Sequence, residues 1–221
     1  MRDRSDSQSG SEHLRYGESR AARQIVRSID SEVAAGYPQR ENPLRSFAMP
    51  LTLITGGSRS GKSTHAIALA TADASASRRY FIATAEALDD EMRARIAHHQ
   101  ATRPPEFATI EAPLDLEHAI AMLASRADVA VLDCLTLWVS NLMGQDLDDG
   151  AILARADSLA GALRRAPFRM IVVTDEVGWG IVPDNPVARR FRDLLGWTNQ
   201  KVAQVADEVL LMAAGYPLRL K

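Results

Sequence analysis

The chain has 221 residues, 46% of them hydrophobic and 24% charged, which is enough for one domain with a sizeable core, or for a domain plus a tail. No run approaches the roughly 18 apolar residues of a membrane-spanning helix, and a net charge of −2 disfavours a general nucleic-acid binder. The one cysteine, Cys134, excludes an intramolecular disulfide framework and a cysteine-based zinc cluster.

Residues 1–48 differ in composition from the rest, with eight Arg, seven Asp or Glu and no sustained apolar run. Such a segment cannot bury enough apolar surface to offset its ordering entropy, so we predict a disordered extension, with a marginal helix over 21–35 as the alternative. It lacks a signal-peptide core, and its acidic residues disfavour a transit peptide, so we expect a cytoplasmic protein. Met49 leaves a later translation start open.

From residue 51 onward, apolar β-prone runs alternate with amphipathic stretches, which predicts a single α/β domain over 49–221. The sheet is expected to be mostly parallel with helices on both faces, and Pro217 predicts a last short strand at an edge or in a hairpin. The predicted strands are 51–55, 80–84, 129–133, 170–174 and 208–213, and the predicted helices are 62–72, 89–102, 114–125, 152–166 and 185–206.

The first strand runs into a glycine-rich loop, Gly56-Gly57-Ser58-Arg59-Ser60-Gly61-Lys62-Ser63, which fits G-x-x-x-x-G-K-[ST]. In this motif backbone N–H groups and a helix N-terminus surround phosphate, Lys62 reaches the β- and γ-phosphates, and Ser63 ligates Mg²⁺. The alternative is a Gly/Ser turn that happens to precede a helix. The strand before the loop and the helical pattern after it favour a P-loop NTPase-type fold.

Asp133 ends the buried strand 129–133, where an acidic residue can hold Mg²⁺ directly or through water. The alternative is an N-cap for a helix over 135–143, and both roles can coexist. We interpret the adjacent Cys134 as a small buried residue rather than a nucleophile.

A histidine pair, His98 and His99, ends the predicted helix over 89–99, whose first turn is acidic. Met92, Ile96 and His99 share one face, whereas His98 lies about 100° around the helix. The spacing leaves a surface or core role open beside a catalytic one and disfavours zinc, because no Cys or acidic ligand accompanies the pair. A neutral imidazole can nevertheless attack phosphorus.

Together these motifs resemble the bifunctional adenosylcobinamide kinase / adenosylcobinamide-phosphate guanylyltransferases of cobalamin biosynthesis. The resemblance covers about residues 51–221 and leaves 1–48 outside. Beyond the phosphate loop it rests on YFIATA at 80–85, DDEM with the histidine pair at 89–99, DCLT at 133–136, EVGWGIVP at 176–183, and NPVARRFRD at 185–193 with NQ at 199–200.

The resemblance implies two reactions. A nucleoside triphosphate, ATP or GTP, phosphorylates the aminopropanol hydroxyl of adenosylcobinamide. GTP then donates GMP to the resulting phosphate, giving adenosylcobinamide-GDP and pyrophosphate. The family's nucleophile maps onto His98, which would form a histidine–GMP intermediate, and Lys62 would also be catalytic. Mg²⁺ held by Ser63 and Asp133 is the implied cofactor, and a homo-oligomer, typically a trimer, is the implied assembly.

The resemblance also assigns nucleotide-binding residues outside the phosphate loop. They lie at the end of the second strand, directly after the first histidine, and at two acidic positions: Ile82, Ala83, Thr84, His99, Gln100, Ala101, Thr102, Glu111 and Asp133.

One departure from the family pattern is Asp175, where Asn is usual, and the added charge leaves that loop's hydrogen bonding open. The loop over 174–185 is long and rich in Gly and Pro, and it is either a substrate-facing loop or a rigid structural turn. Trp138, Trp179 and Trp197 either flank a corrinoid or pack in a core or an interface.

Two other functions stay open from the sequence. The first is a P-loop small-molecule kinase without guanylyl transfer. The second is a nucleotide-binding switch or assembly module without turnover, which the motifs after the loop disfavour. The nucleotide preference of the kinase step is also left open.

Overall fold

The computed structural model describes residues 49–87 and 89–221, and the side chains of Glu91, Arg95, His98, His99 and Thr102 lie outside the description. The expectations for residues 1–48 therefore fall outside the described part of the chain.

Over the described ranges, strands alternate with helices. The strands are β1 (Leu51–Gly56), β2 (Arg79–Ala83), β3 (Phe107–Glu111), β4 (Val129–Asp133), β5 (Arg169–Val173), β6 (Glu208–Ala213) and β7 (Tyr216–Arg219). The helices are α1 (Lys62–Thr71), α2 (Asp90–Thr102), α3 (Leu116–Leu123), α4 (Leu135–Met143), α5 (Asp149–Arg165) and α6 (Pro186–Val205).

The seven strands of the described chain form one sheet in the order β3-β2-β4-β5-β1-β6-β7. The strands from β3 to β6 pair in parallel, and β7 pairs antiparallel to β6 at the edge. The predicted mostly parallel α/β sheet with a short C-terminal edge strand is confirmed.

Apolar side chains cover both faces of the sheet, as the near-continuous apolar strands predict. On one face α3, α4, α5 and α6 pack around residues such as Trp138, Leu159 and Leu195. On the other face Ala66 and Ala70 of α1 lie against the buried strand residues. Their small side chains place the helix that follows the phosphate loop close to the sheet.

Polar side chains set where four helices begin. Asp89 accepts a hydrogen bond from the backbone N–H of Met92 at 2.7 Å, and Asp115 and Asp148 cap α3 and α5 in the same way. Asn185 caps α6, with Pro186 in its first turn. Each cap satisfies a backbone donor that would otherwise lack a partner.

Two elements differ from the predicted pattern. β3 (Phe107–Glu111) was not predicted, because three of its five positions are exposed at the sheet edge and it makes no apolar run. α5 begins at Asp149, three residues before the predicted start, because Asp148 caps it there. The helix α4 is the one considered over 135–143, but Cys134 rather than Asp133 is at its N-cap position, so the N-cap alternative for Asp133 is wrong.

Candidate active site

The phosphate loop joins β1 to α1 and depends on two glycines with positive φ. Gly56 has φ of +148°, and a Cβ there would lie 2.5 Å from the carbonyl oxygen of Met212 in β6. Gly61 has φ of +94° at the start of α1, where side chains are disfavoured. The loop therefore needs glycine at both positions to pass close to β6 and turn into the helix.

Lys62 folds back over this loop. Its ammonium donates to the carbonyl of Gly57 at 2.6 Å, and it forms an ion pair of 2.7 Å with Asp175. The side chain is only 8% exposed, whereas that of Asp175 is 29% exposed. The lysine of the motif is thus held between a loop carbonyl and a carboxylate counter-ion.

The carboxyl ends of four neighbouring strands carry a row of residues in register beside the loop. Glu111 pairs with Ala83, Ala83 with Asp133, and Asp133 with Val173. Residues in register point to the same face of a sheet, here the face that α1 covers. Two of the predicted site residues, Glu111 and Asp133, therefore flank the small Ala83 on one surface.

These parts enclose a cavity of about 360 Å³ between the phosphate loop, the strand row and α2. Met92, Ile96 and Gln100 bring one face of α2 to its wall, as the helical spacing of the first two predicts. Of the predicted site residues, those that line the cavity are Ser58, Arg59, Ser60, Gly61, Lys62, Ser63, Ala83, Gln100, Glu111 and Asp133.

The other predicted site residues whose side chains are described do not line the cavity. Ile82 and Thr84 are fully buried, and Ala101 is exposed on α2. The hydroxyl of Thr84 donates to the carbonyl of Cys134 and accepts from its N–H, both at 2.8 Å, so it joins β2 to β4. Gly56 and Gly57 shape the loop rather than line the cavity in the described chain.

Of the histidine pair and Thr102, the structure describes only the backbone, within α2. Their proposed contacts with nucleotide lie outside the described side chains. What can be stated is that the helix that carries them contributes one wall of the cavity through its neighbouring residues.

Arg103, which the sequence analysis did not single out, also lines the cavity. Its guanidinium lies 3.7 Å from the centroid of the Phe81 ring and donates to the hydroxyl of Thr109 at 3.1 Å. Burial lowers the pKa of Arg103, while Asp133 and Glu111 oppose that shift. A cation of this kind can offset the two acidic residues and face a phosphate. Its one sequence signal is its place directly after the histidine helix.

Cys134 follows Asp133 at the edge of the same cavity. Burial, with the nearby Asp133 and Asp175, raises the pKa of its thiol to about 12. A thiol with such a pKa is protonated at neutral pH and is a poor nucleophile. This supports the interpretation of Cys134 as a small packing residue.

The loop that follows β5 has a pinned start and an exposed tip. The N–H of Asp175 donates to the hydroxyl of Thr136, and the N–H of Glu176 donates to the carbonyl of Gly56. Beyond them Trp179 is 75% exposed and Ile181 is 96% exposed. The start of the loop is thus structural, and its tip presents apolar side chains to solvent.

The three tryptophans have different surroundings. Trp138 is fully buried and donates its indole N–H to the carbonyl of Leu114 at 2.9 Å, so it packs in the core and cannot flank a ligand. Trp197 is half-exposed on α6, beside Gln200 and Lys201 in the groove between α5 and α6. Only Trp179 and Trp197 remain candidates for contact with a large substrate.

Two kinds of feature are absent from the described residues. These residues contain no group of three or more His, Cys, Asp or Glu that could hold a metal ion. Within 49–87 and 89–221 no helix combines the length and apolarity needed to cross a membrane.

Comparison with known proteins identifies relatives of nearly the same extent as the described domain. Residues 52–220 match the family model described as cobinamide kinase / cobinamide phosphate guanyltransferase. The chain is 41% identical over 183 residues to the bifunctional adenosylcobalamin biosynthesis protein CobU of Escherichia coli (strain K12), covering 77% of this chain and 99% of that protein.

Two further comparisons extend this result. CobU of Salmonella typhimurium is 42% identical over the same shares of both chains, and CobP of Pseudomonas aeruginosa is 40% identical over 76% of this chain and 96% of that protein. A solved KaiC-like protein, PH0186 from Pyrococcus horikoshii OT3, is similar with a TM-score of 0.42 and 16% identity, covering 73% of this chain and 70% of that chain. The resemblance inferred from the motifs is confirmed by the family model and the relatives: the chain belongs to the cobinamide kinase / cobinamide phosphate guanyltransferase family.

Proposed function

We propose that this enzyme phosphorylates the aminopropanol hydroxyl of adenosylcobinamide and then transfers GMP from GTP to the product, through a histidine–GMP intermediate on His98. The observation that carries this proposal is one cavity whose walls include both the phosphate loop with Lys62 and the helix α2. A single nucleotide pocket shared by both elements suits an enzyme that uses triphosphates in two different ways.

In the kinase step the hydroxyl oxygen of the acceptor attacks the γ-phosphorus. The new P–O bond forms as the bond from the γ-phosphorus to the β,γ-bridging oxygen breaks, and the nucleoside diphosphate leaves with that oxygen. The hydroxyl proton passes to solvent. The loop N–H groups and the ammonium of Lys62 stabilise the charge that develops on the phosphate oxygens.

The residues at the loop fit a magnesium ion that the bound triphosphate brings with it. Ser63 and Asp133 both line the cavity and offer the hard oxygen ligands that Mg²⁺ prefers. Two protein ligands suffice, because Mg²⁺ usually takes the rest from phosphates and water. When bound, Mg²⁺ would neutralise phosphate charge.

In the guanylyl step the neutral imidazole of His98 attacks the α-phosphorus of GTP. A P–N bond forms, the bond from the α-phosphorus to the α,β-bridging oxygen breaks, and pyrophosphate leaves. A phosphate oxygen of adenosylcobinamide phosphate then attacks the same phosphorus, the P–N bond breaks, and the imidazole is restored. The covalent step lets one pocket handle donor and acceptor in turn.

The exposed loop after β5 is our proposed contact for the corrinoid. It begins at Asp175, which pairs with Lys62, so an acceptor whose hydroxyl reaches the γ-phosphorus must extend over neighbouring surface. Val177, Trp179 and Ile181 place apolar side chains there.

Trp179→Ala should raise KM for cobinamide and leave nucleotide affinity unchanged. A change in oligomeric state with an unchanged KM would instead make the loop a subunit contact in the homo-oligomer, a trimer, that we expect.

The decisive test follows label from GTP into the protein. Wild type and His98→Asn are incubated with GTP labelled at the α- or the γ-phosphate, without acceptor, and separated on a denaturing gel kept basic. We expect α-label on wild type only, lost on acid treatment, because a phosphoramidate is acid-labile. His118→Asn, which alters an exposed histidine at the start of α3, is the matched control and should label like wild type.

Two outcomes would contradict the proposal in different ways. If a parallel incubation with adenosylcobinamide yields cobinamide phosphate but no α-label appears on the protein, the enzyme is a kinase alone and His98 is structural. If His98→Asn loses phosphorylation and guanylylation equally, His98 has a shared binding role and does not act as the nucleophile.

A further inference from the structure

The phosphate-loop lysine has a fixed carboxylate partner at Asp175. The backbone N–H of Asp175 donates to the hydroxyl of Thr136 at 2.8 Å, and the carbonyl of Asp175 accepts from the side-chain amide of Asn199 at 3.1 Å. Asn199 in turn accepts from the hydroxyl of Thr174 at 2.7 Å. These bonds hold the backbone of Asp175 at the carboxyl end of β5, so the carboxylate is presented to Lys62 by the fold rather than by a mobile side chain.

The ion pair competes with nucleotide for the same ammonium. An ammonium has three donors, and in this structure all three have partners: the carbonyl of Gly57 at 2.6 Å, the carboxylate of Asp175 at 2.7 Å and, more weakly, the hydroxyl of Ser60 at 3.5 Å. In a phosphate loop the lysine donates to the β- and γ-phosphates. A triphosphate that enters the cavity must therefore draw Lys62 away from Asp175 and also lie near that carboxylate. Both effects oppose binding, since one breaks a charge pair and the other brings like charges together.

From this geometry we infer that Asp175 is a positioning residue that pairs with Lys62 at the phosphate loop, yields it to the incoming triphosphate, and pairs with it again when the product leaves. The inference rests on the proposed function in one respect. An enzyme that runs two triphosphate reactions in one pocket must release the nucleoside diphosphate of the first before GTP can enter for the second. The carboxylate lowers the affinity of the phosphate loop for the diphosphate and so speeds that release.

The first experiment measures binding of α,β-methylene GTP by calorimetry, without cobinamide, so that neither transfer can proceed. Asp175→Asn keeps the shape of the side chain and removes its charge. We expect it to bind about tenfold more tightly than wild type, the change that one lost charge interaction of about 1.4 kcal/mol produces. The tightening should appear with Mg²⁺ and with EDTA, because it acts through the lysine.

Three further variants test the charge. Asp175→Ser also removes the carboxylate and should tighten binding, whereas Asp175→Glu keeps the charge and should stay near wild type. Asp184→Asn removes an exposed carboxylate from the same loop and should bind like wild type. Unchanged or weaker binding in both neutral variants would overturn the inference. Weaker binding with Mg²⁺ alone would make Asp175 a metal ligand instead.

The second experiment separates chemistry from release. In a single turnover, phosphoryl transfer by Asp175→Asn should match wild type within about twofold, while steady-state kcat and the KM for the nucleotide both fall, because product leaves slowly. An equal loss in both regimes would overturn the inference by assigning Asp175 to the chemical step. If wild type formed no α-labelled protein, the guanylyl proposal would fail while the binding comparison still stood or fell by itself.

Discussion

Replacing Arg103 tests whether its charge belongs to the nucleotide cavity. The guanidinium faces Asp133 and Glu111, and both raise its pKa against the effect of burial. Arg103→Ala leaves these carboxylates without that cation in a pocket that must accept phosphates. For a guanidinium and a phosphate charge taken to be about 7 Å apart, with an effective dielectric constant of about 20, Coulomb's law gives an interaction of about 2 kcal/mol. We therefore expect affinity for α,β-methylene GTP to fall roughly thirtyfold.

The same variant should also lower the free energy of unfolding, though by less. It loses the stacking on Phe81 and the hydrogen bond to Thr109, together about 2 to 3 kcal/mol, but it also removes a cation whose burial is unfavourable. A net loss of about 1 to 2 kcal/mol in urea denaturation is the expected result.

Two variants make the result interpretable. Arg103→Lys keeps the charge but loses the planar stacking, so it should recover most of the nucleotide affinity and only part of the stability. Arg126→Ala removes an exposed arginine outside the cavity and should change neither quantity. If Arg103→Ala folds and binds nucleotide as wild type does, the guanidinium is neutralised by its acidic neighbours and the electrostatic reasoning is wrong.

The remaining predictions concern the core, the thiol and the carboxylate that precedes β4. Trp138→Ala should lower the free energy of unfolding by about 3 to 5 kcal/mol in urea, because the ring is fully buried, and a loss below about 1 kcal/mol would show that the core refills the space. Because the pKa of Cys134 is about 12, alkylating reagents at pH 8 should spare both activities, and inactivation that Cys134→Ala prevents would refute this. Hydrogen bonds from Arg78 and Ser77 hold the pKa of Asp128 below its ordinary range, so the stability it adds is present above about pH 4 and is lost as pH falls further. Asp128→Asn should accordingly lower Tm by more at pH 7 than at pH 3, and a constant Tm difference across that range would contradict the assignment.

The sequence predicted the centre of the sheet better than its edge. β4 and β5 read as strands because nearly every residue in them is buried, so their apolar runs are continuous. The edge strand β3 has buried Phe107 but exposed Ala108 and Thr109, and a strand covered on one side only leaves a weaker pattern. Prediction from apolar runs therefore missed β3, the strand that ends in Glu111, although the resemblance to the family had indicated that residue.

In the site, likewise, the sequence indicated the contiguous motif but not the contacts between residues that are far apart in the chain. The phosphate loop is a contiguous motif, and its residues 58–63 line the cavity. The role of Arg103 depends on Phe81 and Asp133, which come from other strands, and nothing near it in sequence indicates that contact. The sequence marked Asp175 as a departure from the family pattern but did not indicate its ion pair, because Lys62 lies in a distant part of the chain.

The position of β1 in the sheet affects how the chain folds while the ribosome is making it. The first strand of the domain pairs with β5 and β6, and the N–H of Leu51 donates to Asp207, a residue 156 positions later. At about 5 to 20 residues per second, a ribosome needs roughly 8 to 30 s to make that stretch. Strands β2, β3 and β4 can pair with one another in the meantime, whereas β1 must wait with its apolar side chains uncovered. The nascent chain is therefore most exposed to misassociation and chaperone binding until β5 and then β6 emerge to cover the two sides of β1.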